Sequence, residues 1–156
     1  MITSSASQAS NNDGFAIYLL AQNIQATELS QFDINRIVLE TKPIISSDDI
    51  ISYNKNTHTI ELTPAAYTRV QQISPIPMNG LPFVVCVGDE RIYTGAFWAP
   101  VSSISYDGVV IIQPYRAKDT TIQIALGYPG PEFFTGNDPR ADPRIMKALE
   151  EDEKNK

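Results

Sequence analysis

His58-Thr59-Ile60-Glu61-Leu62-Thr63-Pro64-Ala65-Ala66-Tyr67-Thr68-Arg69-Val70-Gln71-Gln72-Ile73 contains a strand and a helix back to back, and it sets the class of the fold. His58, Ile60 and Leu62 alternate with Thr59 and Glu61, the pattern of a strand with one wet face. Thr63 then stands where a helix N-cap belongs, and Pro64 takes the first helical position, where its missing N–H costs nothing. Ala66, Val70 and Ile73 recur at helical spacing, with Arg69, Gln71 and Gln72 outward. Pro75 and Pro77 end the helix.

Upstream, Phe15 to Leu20 reads as a strand covered on both faces, residues 21–35 as a connection, and Ile37-Val38-Leu39 as a short strand stopped before Pro43. Ser46 followed by Asp49 has the form of a capping box, and it predicts one or two turns of helix over Ser46 to Tyr53. Downstream, Phe83 to Val87, a turn at Gly88-Asp89-Glu90, and Ile92 to Trp98 form a hairpin. Val109–Ile112, entered through Tyr106-Asp107-Gly108, and Thr121–Leu126 are further strands, and the sheet is expected to end at Gly127-Tyr128-Pro129-Gly130-Pro131. Asp142-Pro143 can start a last helix over Ile145, Met146 and Leu149, which either docks or frays. The expected fold is α+β. A mixed, largely antiparallel sheet carries two short helices on one face, followed by a C-terminal hairpin and two further strands that extend the sheet or form a second one.

The 156 residues suit one domain, and 42% hydrophobic with 19% charged residues is the composition of a globular chain. Residues 14–135 are expected to form that domain, with a partly helical, charged segment at 136–156. Asp and Glu total 18 against 12 Lys and Arg, without a basic stripe, which argues against nucleic acid as a partner. Residues 1–13 are rich in Ser and Asn and read as a flexible polar leader. It is of the kind left when a secretion or lipoprotein signal is removed; an ordinary frayed terminus is the plainer alternative. Apolar runs stay short of a membrane span.

The segment from Asp49-Ile50 to Trp98 includes Thr63-Pro64-Ala65-Ala66, then Gly80-Leu81-Pro82-Phe83-Val84-Val85, and a tight turn into Arg91-Ile92-Tyr93-Thr94-Gly95. It resembles the first extracytoplasmic domain of SecD, an accessory subunit of bacterial protein translocation. It is also similar to small bacterial lipoprotein domains with a ferredoxin-like βαββαβ theme. The hairpin turn departs from that pattern, reading Gly88-Asp89-Glu90 instead of Asp-Gly. The resemblance implies a non-enzymatic domain outside the cytoplasm and supplies no catalytic residue.

The chemistry-bearing residues are sparse. His58 is the single histidine and Cys86 the single cysteine, so zinc sites of the usual spacing and internal disulfides are not expected. No cofactor motif, Gly-x-Ser-x-Gly elbow or phosphate loop is present. Cys86 and His58 could pair only if two strands brought them together, and a buried thiol and a strand histidine with a hydrated tip are the simpler expectations. Asp48 and Asp49 fit a helix N-terminus better than a metal site.

Tyr93, Phe97 and Trp98, with Tyr128 further on, form an aromatic cluster. Alternation puts Tyr93, Gly95 and Phe97 on one face and Trp98 on the other. Gly95 among these rings could leave a shallow groove for a ligand or peptide, or the rings could simply cover the sheet. The leading expectation is therefore an extracytoplasmic binding domain that meets a protein or peptide partner by a sheet edge or aromatic contacts, with a lipid anchor on a missing leader ahead of residue 1 as one means of attachment. The alternatives are a small hydrolase or transferase using Asp48, Asp49, Glu61 and His58, and a structural subunit of a larger assembly.

Overall fold

The computed structural model describes residues 14–114 and 119–154, so the proposed leader at 1–13 lies outside the described residues. The fold is α+β, with eight strands that are mixed and largely antiparallel. Five of them, β1 (Phe15–Leu19), β4 (Leu81–Val87), β5 (Glu90–Trp98), β6 (Tyr106–Ile112) and β8 (Ala125–Tyr128), form one sheet in the order β1-β4-β5-β6-β8. β2 (Ile50–Asn54), β3 (Thr59–Leu62) and β7 (Thr121–Gln123) form a second, in the order β2-β3-β7. All neighbours are antiparallel except β5 and β6.

The larger core lies between the two sheets, where strand alternation sends one face of each. Phe15, Ile17, Phe83, Val85, Phe97, Val109 and Ile111 meet Ile50, Tyr53, Ile60, Leu62 and Ile122. Helix α1 (Pro64–Gln71) adds Ala66, Tyr67 and Val70, and helix α2 (Pro143–Glu151) adds Ile145 and Leu149. Two smaller clusters cover the other face of the five-stranded sheet. Ala16, Tyr18, Val84 and Cys86 lie with Ile24, Leu29 and Ile37, while Ala96, Trp98, Tyr106 and Val110 pack with Ala26. Residues 21–37 are thus a cover for the sheet.

The caps form as the sequence indicates. Thr63 Oγ1 accepts the Ala66 N–H at 3.3 Å, and Asp142 Oδ1 accepts the Arg144 N–H at 2.9 Å. At the far end of α1 the Gln113 amide donates to the carbonyls of Val70, Gln71 and Ile73, groups that a helix C-terminus leaves without partners. Thr63→Ala is expected to lower stability by about 1 kcal/mol in denaturant unfolding, with the m-value unchanged. Helix α2 docks, with Ile145 and Leu149 buried and the Tyr53 N–H reaching the Lys154 carbonyl at 2.7 Å beyond it.

Four expectations are corrected. The capping box at Ser46 and Asp49 forms, but it opens a single 3-10 turn (Ser47–Asp49) that passes directly into β2. Ile50 and Tyr53 are buried because β2 pairs with β3, and this pairing overrides the local helix signal. Ile37-Val38-Leu39 is not a strand of either sheet. It runs beside β1 with a single bridge, Leu39 to Leu20, as Ile37 turns under the sheet. Thr121–Leu126 divides at Ile124 into β7 and β8, one in each sheet. Ile122, Ile124 and Leu126 still share a face, because the core lies between the sheets and the inward side is the same in both. The ladder also continues to Tyr128, past the expected end.

Candidate interaction cleft

β5 and β6 run parallel but pair only where Ala96, Phe97 and Trp98 face Val110, Ile111 and Ile112. Before that point the two strands do not pair, and β6 carries a register irregularity between Tyr106 and Val109 in its ladder with β8. Among the described residues, the Glu90–Gly95 half of β5 therefore has a strand partner on one side, β4, and none on the other. A cleft of about 360 Å³ opens along this half-bare edge. Tyr93, Thr94, Gly108 and Val109 line its floor.

Two chain segments wall the cleft. One is the cover, with 3-10 turns at Ala26–Gln31 and Ile34–Arg36. Its turns are set locally: Glu28 Oε1 accepts the Gln25 N–H at 3.1 Å, and Asp33 Oδ1 accepts the Asn35 N–H at 2.9 Å. The Arg91 guanidinium, projecting from β5, donates to the Ile34 carbonyl at 2.8 Å and to the Ile37 carbonyl, tying the cover to the strand. Phe32, at 44% exposure, forms the rim. The other wall is the stretch from Phe134 to Pro139. Thr135 binds Asp107 twice, N–H to carbonyl and Oγ1 to Oδ2, each at 3.1 Å.

That second wall is anchored by one guanidinium. Arg140 donates to Asp138 through Nε (3.0 Å) and Nη2 (2.9 Å), and through Nη1 to the Ile124 carbonyl at 2.9 Å. The hydrogen bonds from Arg140 hold the Asp138 carboxyl below its usual range. Beside this anchor lies a buried polar group. The His58 ring, 6% exposed, shares a 2.7 Å hydrogen bond between Nδ1 and the Tyr53 hydroxyl. Burial lowers the His58 pKa, and the Arg140 cation lowers it further. Burial also raises Tyr53, and it raises Tyr93 well above the ordinary phenol value; the Tyr93 hydroxyl has no hydrogen-bond partner among the described residues.

Most of the residues singled out in the sequence fall elsewhere. Tyr93 and Phe97 lie in the main core, as alternation placed them, and Phe97 meets Phe83 edge to face at 5.1 Å. A Cβ on Gly95 would stand 2.5 Å from the Phe83 ring, so that ring fills the groove expected at the glycine. Trp98 is fully buried on the opposite face, stacked on Tyr106 at 4.8 Å and tilted against Tyr128 at 5.8 Å, with its Nε1 donating to the Ile104 carbonyl at 3.1 Å. The half-buried Tyr128 hydroxyl donates to the Ser102 carbonyl at 2.7 Å. Trp98 and Tyr128 are together; Tyr93 and Phe97 are across the sheet from them. Of the four, Tyr93 alone lines the cleft.

The four residues of the carboxylate alternative lie apart from the cleft. Asp49 is held by the Ser46 N–H at 2.8 Å and by Arg69 at 3.1 Å, Asp48 and Glu61 are solvent-facing, and His58 is buried on Tyr53. None of these four lines any of the three described recesses. Cys86 lies on the face of the sheet away from the main core, and burial pushes its thiol up to about 11. Among the described residues, no group of three His, Cys, Asp or Glu could hold a metal ion, and no helix is long and apolar enough to cross a membrane.

Other recesses lie elsewhere on the surface. One, of about 510 Å³, is lined by Tyr18, Ile37, Val38, Cys86, Asp89 and Arg91 among others, and another, of about 230 Å³, by the amides of Gln22, Asn23, Gln25 and Asn79 with Pro77 and Pro82. At the first, the edge of β1 is already occupied by residues 38–45, through bonds such as Ile17 N–H to the Ile45 carbonyl and Glu40 N–H to the Leu19 carbonyl, each within 2.9 Å.

The fold and its cleft define a two-sheet α+β domain with a half-bare internal strand edge. No family model, curated protein or solved structure matches the chain, so nothing in these comparisons bears on the resemblance to SecD.

Proposed function

We propose that this domain is a non-catalytic interaction module, working outside the cytoplasm, that receives an extended segment of a protein partner in the cleft beside β5. The observation that carries this reading is the half-bare edge of β5, reached between an exposed aromatic rim at Phe32 and the polar side chains of Thr94, Thr135 and Asn137. An extended peptide gains main-chain hydrogen bonds from such an edge and selectivity from flanking side chains. Two guanidinium groups are engaged in holding its walls, Arg91 on two carbonyls and Arg140 on Asp138 and Ile124. The extracytoplasmic placement, with a lipid anchor as one means of it, is supported by the Ser- and Asn-rich residues 1–13 and by the resemblance noted in the sequence.

A library of random peptides selected on the immobilised domain tests the reading. Peptides that bind are expected to lose tenfold or more in affinity to Phe32→Asp, about 1.4 kcal/mol or more. Glu61→Gln, on the exposed face of β3, is expected to leave binding unchanged. Peptides indifferent to Phe32→Asp would place recognition elsewhere.

A further inference from the structure

The wall segment and the buried histidine are joined through one residue. The Ile124 N–H donates to the His58 carbonyl at 2.9 Å, and the Ile124 carbonyl accepts from Arg140 at 2.9 Å. Ile124 is also where the chain passes from β7 to β8, so it belongs to neither ladder. His58 has a left-handed backbone (φ 58), a conformation uncommon in residues other than glycine. It is held by the Tyr53 hydroxyl on the ring, by Ile124 on the carbonyl, and by its own N–H, which donates to the Asn54 carbonyl at 2.6 Å.

The charged and titratable groups facing the imidazole can be named by element. Tyr53 faces it from β2, with Tyr93 of β5 coupled to Tyr53 in turn. Arg140 and Asp138 act on it from the wall segment. Lys55, on the same turn, is exposed. The Arg140 side chain is only 16% exposed, so solvent screens a second cation beside it poorly, while the Asp138 carboxylate on Arg140 offsets part of the repulsion. Protonation also makes both ring nitrogens donors, and the Tyr53 hydroxyl can then only accept.

We propose that His58 is a proton-operated latch on the cleft: neutral, it keeps residues 136–140 seated through Ile124 and Arg140, and protonated, it releases them. Gly136, Asn137 and Pro139 line the cleft, so their release widens it. The meaning of that opening for a partner rests on the binding role proposed above; the latch itself does not. Asp138, held below its ordinary carboxyl range, stays ionised at mildly acidic pH and keeps its bond to Arg140. Of these two groups, the histidine is the one that changes charge at that pH.

Amide hydrogen exchange on the whole chain, without any partner, tests this at about pH 7.5 and about pH 5, after correction for intrinsic rates. Residues 134–142 are expected to lose protection tenfold or more at the lower pH, with residues 81–87 of β4 unchanged. His58→Asn, whose side chain does not titrate and tolerates the left-handed backbone, is expected to abolish the response. Tyr53→Phe, which keeps the imidazole beside Arg140, is expected to retain it. Equal protection of 134–142 at both pH values in the wild type overturns the latch, as does a response that persists in His58→Asn. Failure of the binding reading would show in the peptide selection and leave this result untouched.

Discussion

Trp98→Ala is expected to destabilise the domain by about 3–5 kcal/mol, the range for removing a large buried aromatic. The indole is fully buried, stacks on Tyr106 at 4.8 Å, and lies 5.8 Å from Tyr128, so truncation empties the centre of the cluster on the outer face of the five-stranded sheet. It also removes the 3.1 Å bond from Nε1 to the Ile104 carbonyl, which ties down the loop between β5 and β6. Trp98→Phe keeps most of the ring volume and is expected to recover more than half of the loss. Denaturant unfolding of both variants measures this; a loss below about 1 kcal/mol for the alanine variant would mean that the stack does not support the fold.

The second large effect is expected at Gly127. Its φ is 76, and a Cβ there would stand 2.5 Å from the Gly130 carbonyl oxygen and 2.8 Å from the Phe134 nitrogen, both backbone atoms that cannot swing aside. Gly127→Val combines a left-handed β-branched residue with a backbone clash, for a loss of about 2–4 kcal/mol. Gly136 also has a positive φ, 95, but its Cβ would meet nothing. Gly136→Val is therefore expected to cost less than Gly127→Val, and thermal unfolding of the pair separates collision from conformational strain. Equal losses would refute the close approach at Gly127.

The linkage at His58 has a definite sign. Its folded pKa lies below the ordinary 6.5, so the unfolded chain binds the proton more readily. The contribution of His58 to stability is present above about pH 6.5 and declines as the pH falls below it. Asp138 and Asp142, lowered from 3.8 chiefly by side-chain bonds to Arg140 and Arg144, lose their contributions only at more acidic pH. The two groups of losses are thus separable on one pH axis.

The sequence carried the elements whose signals are local. The Thr63-Pro64 and Asp142-Pro143 starts, the Gly88 turn between β4 and β5, and the doubly covered β1 all stand where composition and spacing put them. Ser46 and Asp49 show the limit of such signals: the cap is real, but a cap fixes how a turn begins and says nothing of its length, and pairing with β3 claimed Ile50 onward. Ile124 was illegible for a different reason. Alternation reports which side faces the core, and in a core held between two sheets that side is unchanged when the chain passes from one to the other.

The cleft was hidden altogether, since it arises from the divergence of two strands and from segments at 26–36 and 134–139 that are remote in sequence. Its one local trace was the pair of turn caps, Gln25 with Glu28 and Asp33 with Asn35, in a stretch read only as a connection. The aromatic cluster misled because ring content marks large buried area as readily as a binding surface.

Amide chemical-shift mapping with a selected peptide bears most directly on the interaction role. Perturbations are predicted to gather at Phe32, Thr94, Gly108, Thr135 and Asn137, along the bare edge of β5. A map centred on the exposed corner of Met78, Val101 and Ile104, with those five residues unmoved, would contradict the assignment of the cleft as the partner's seat.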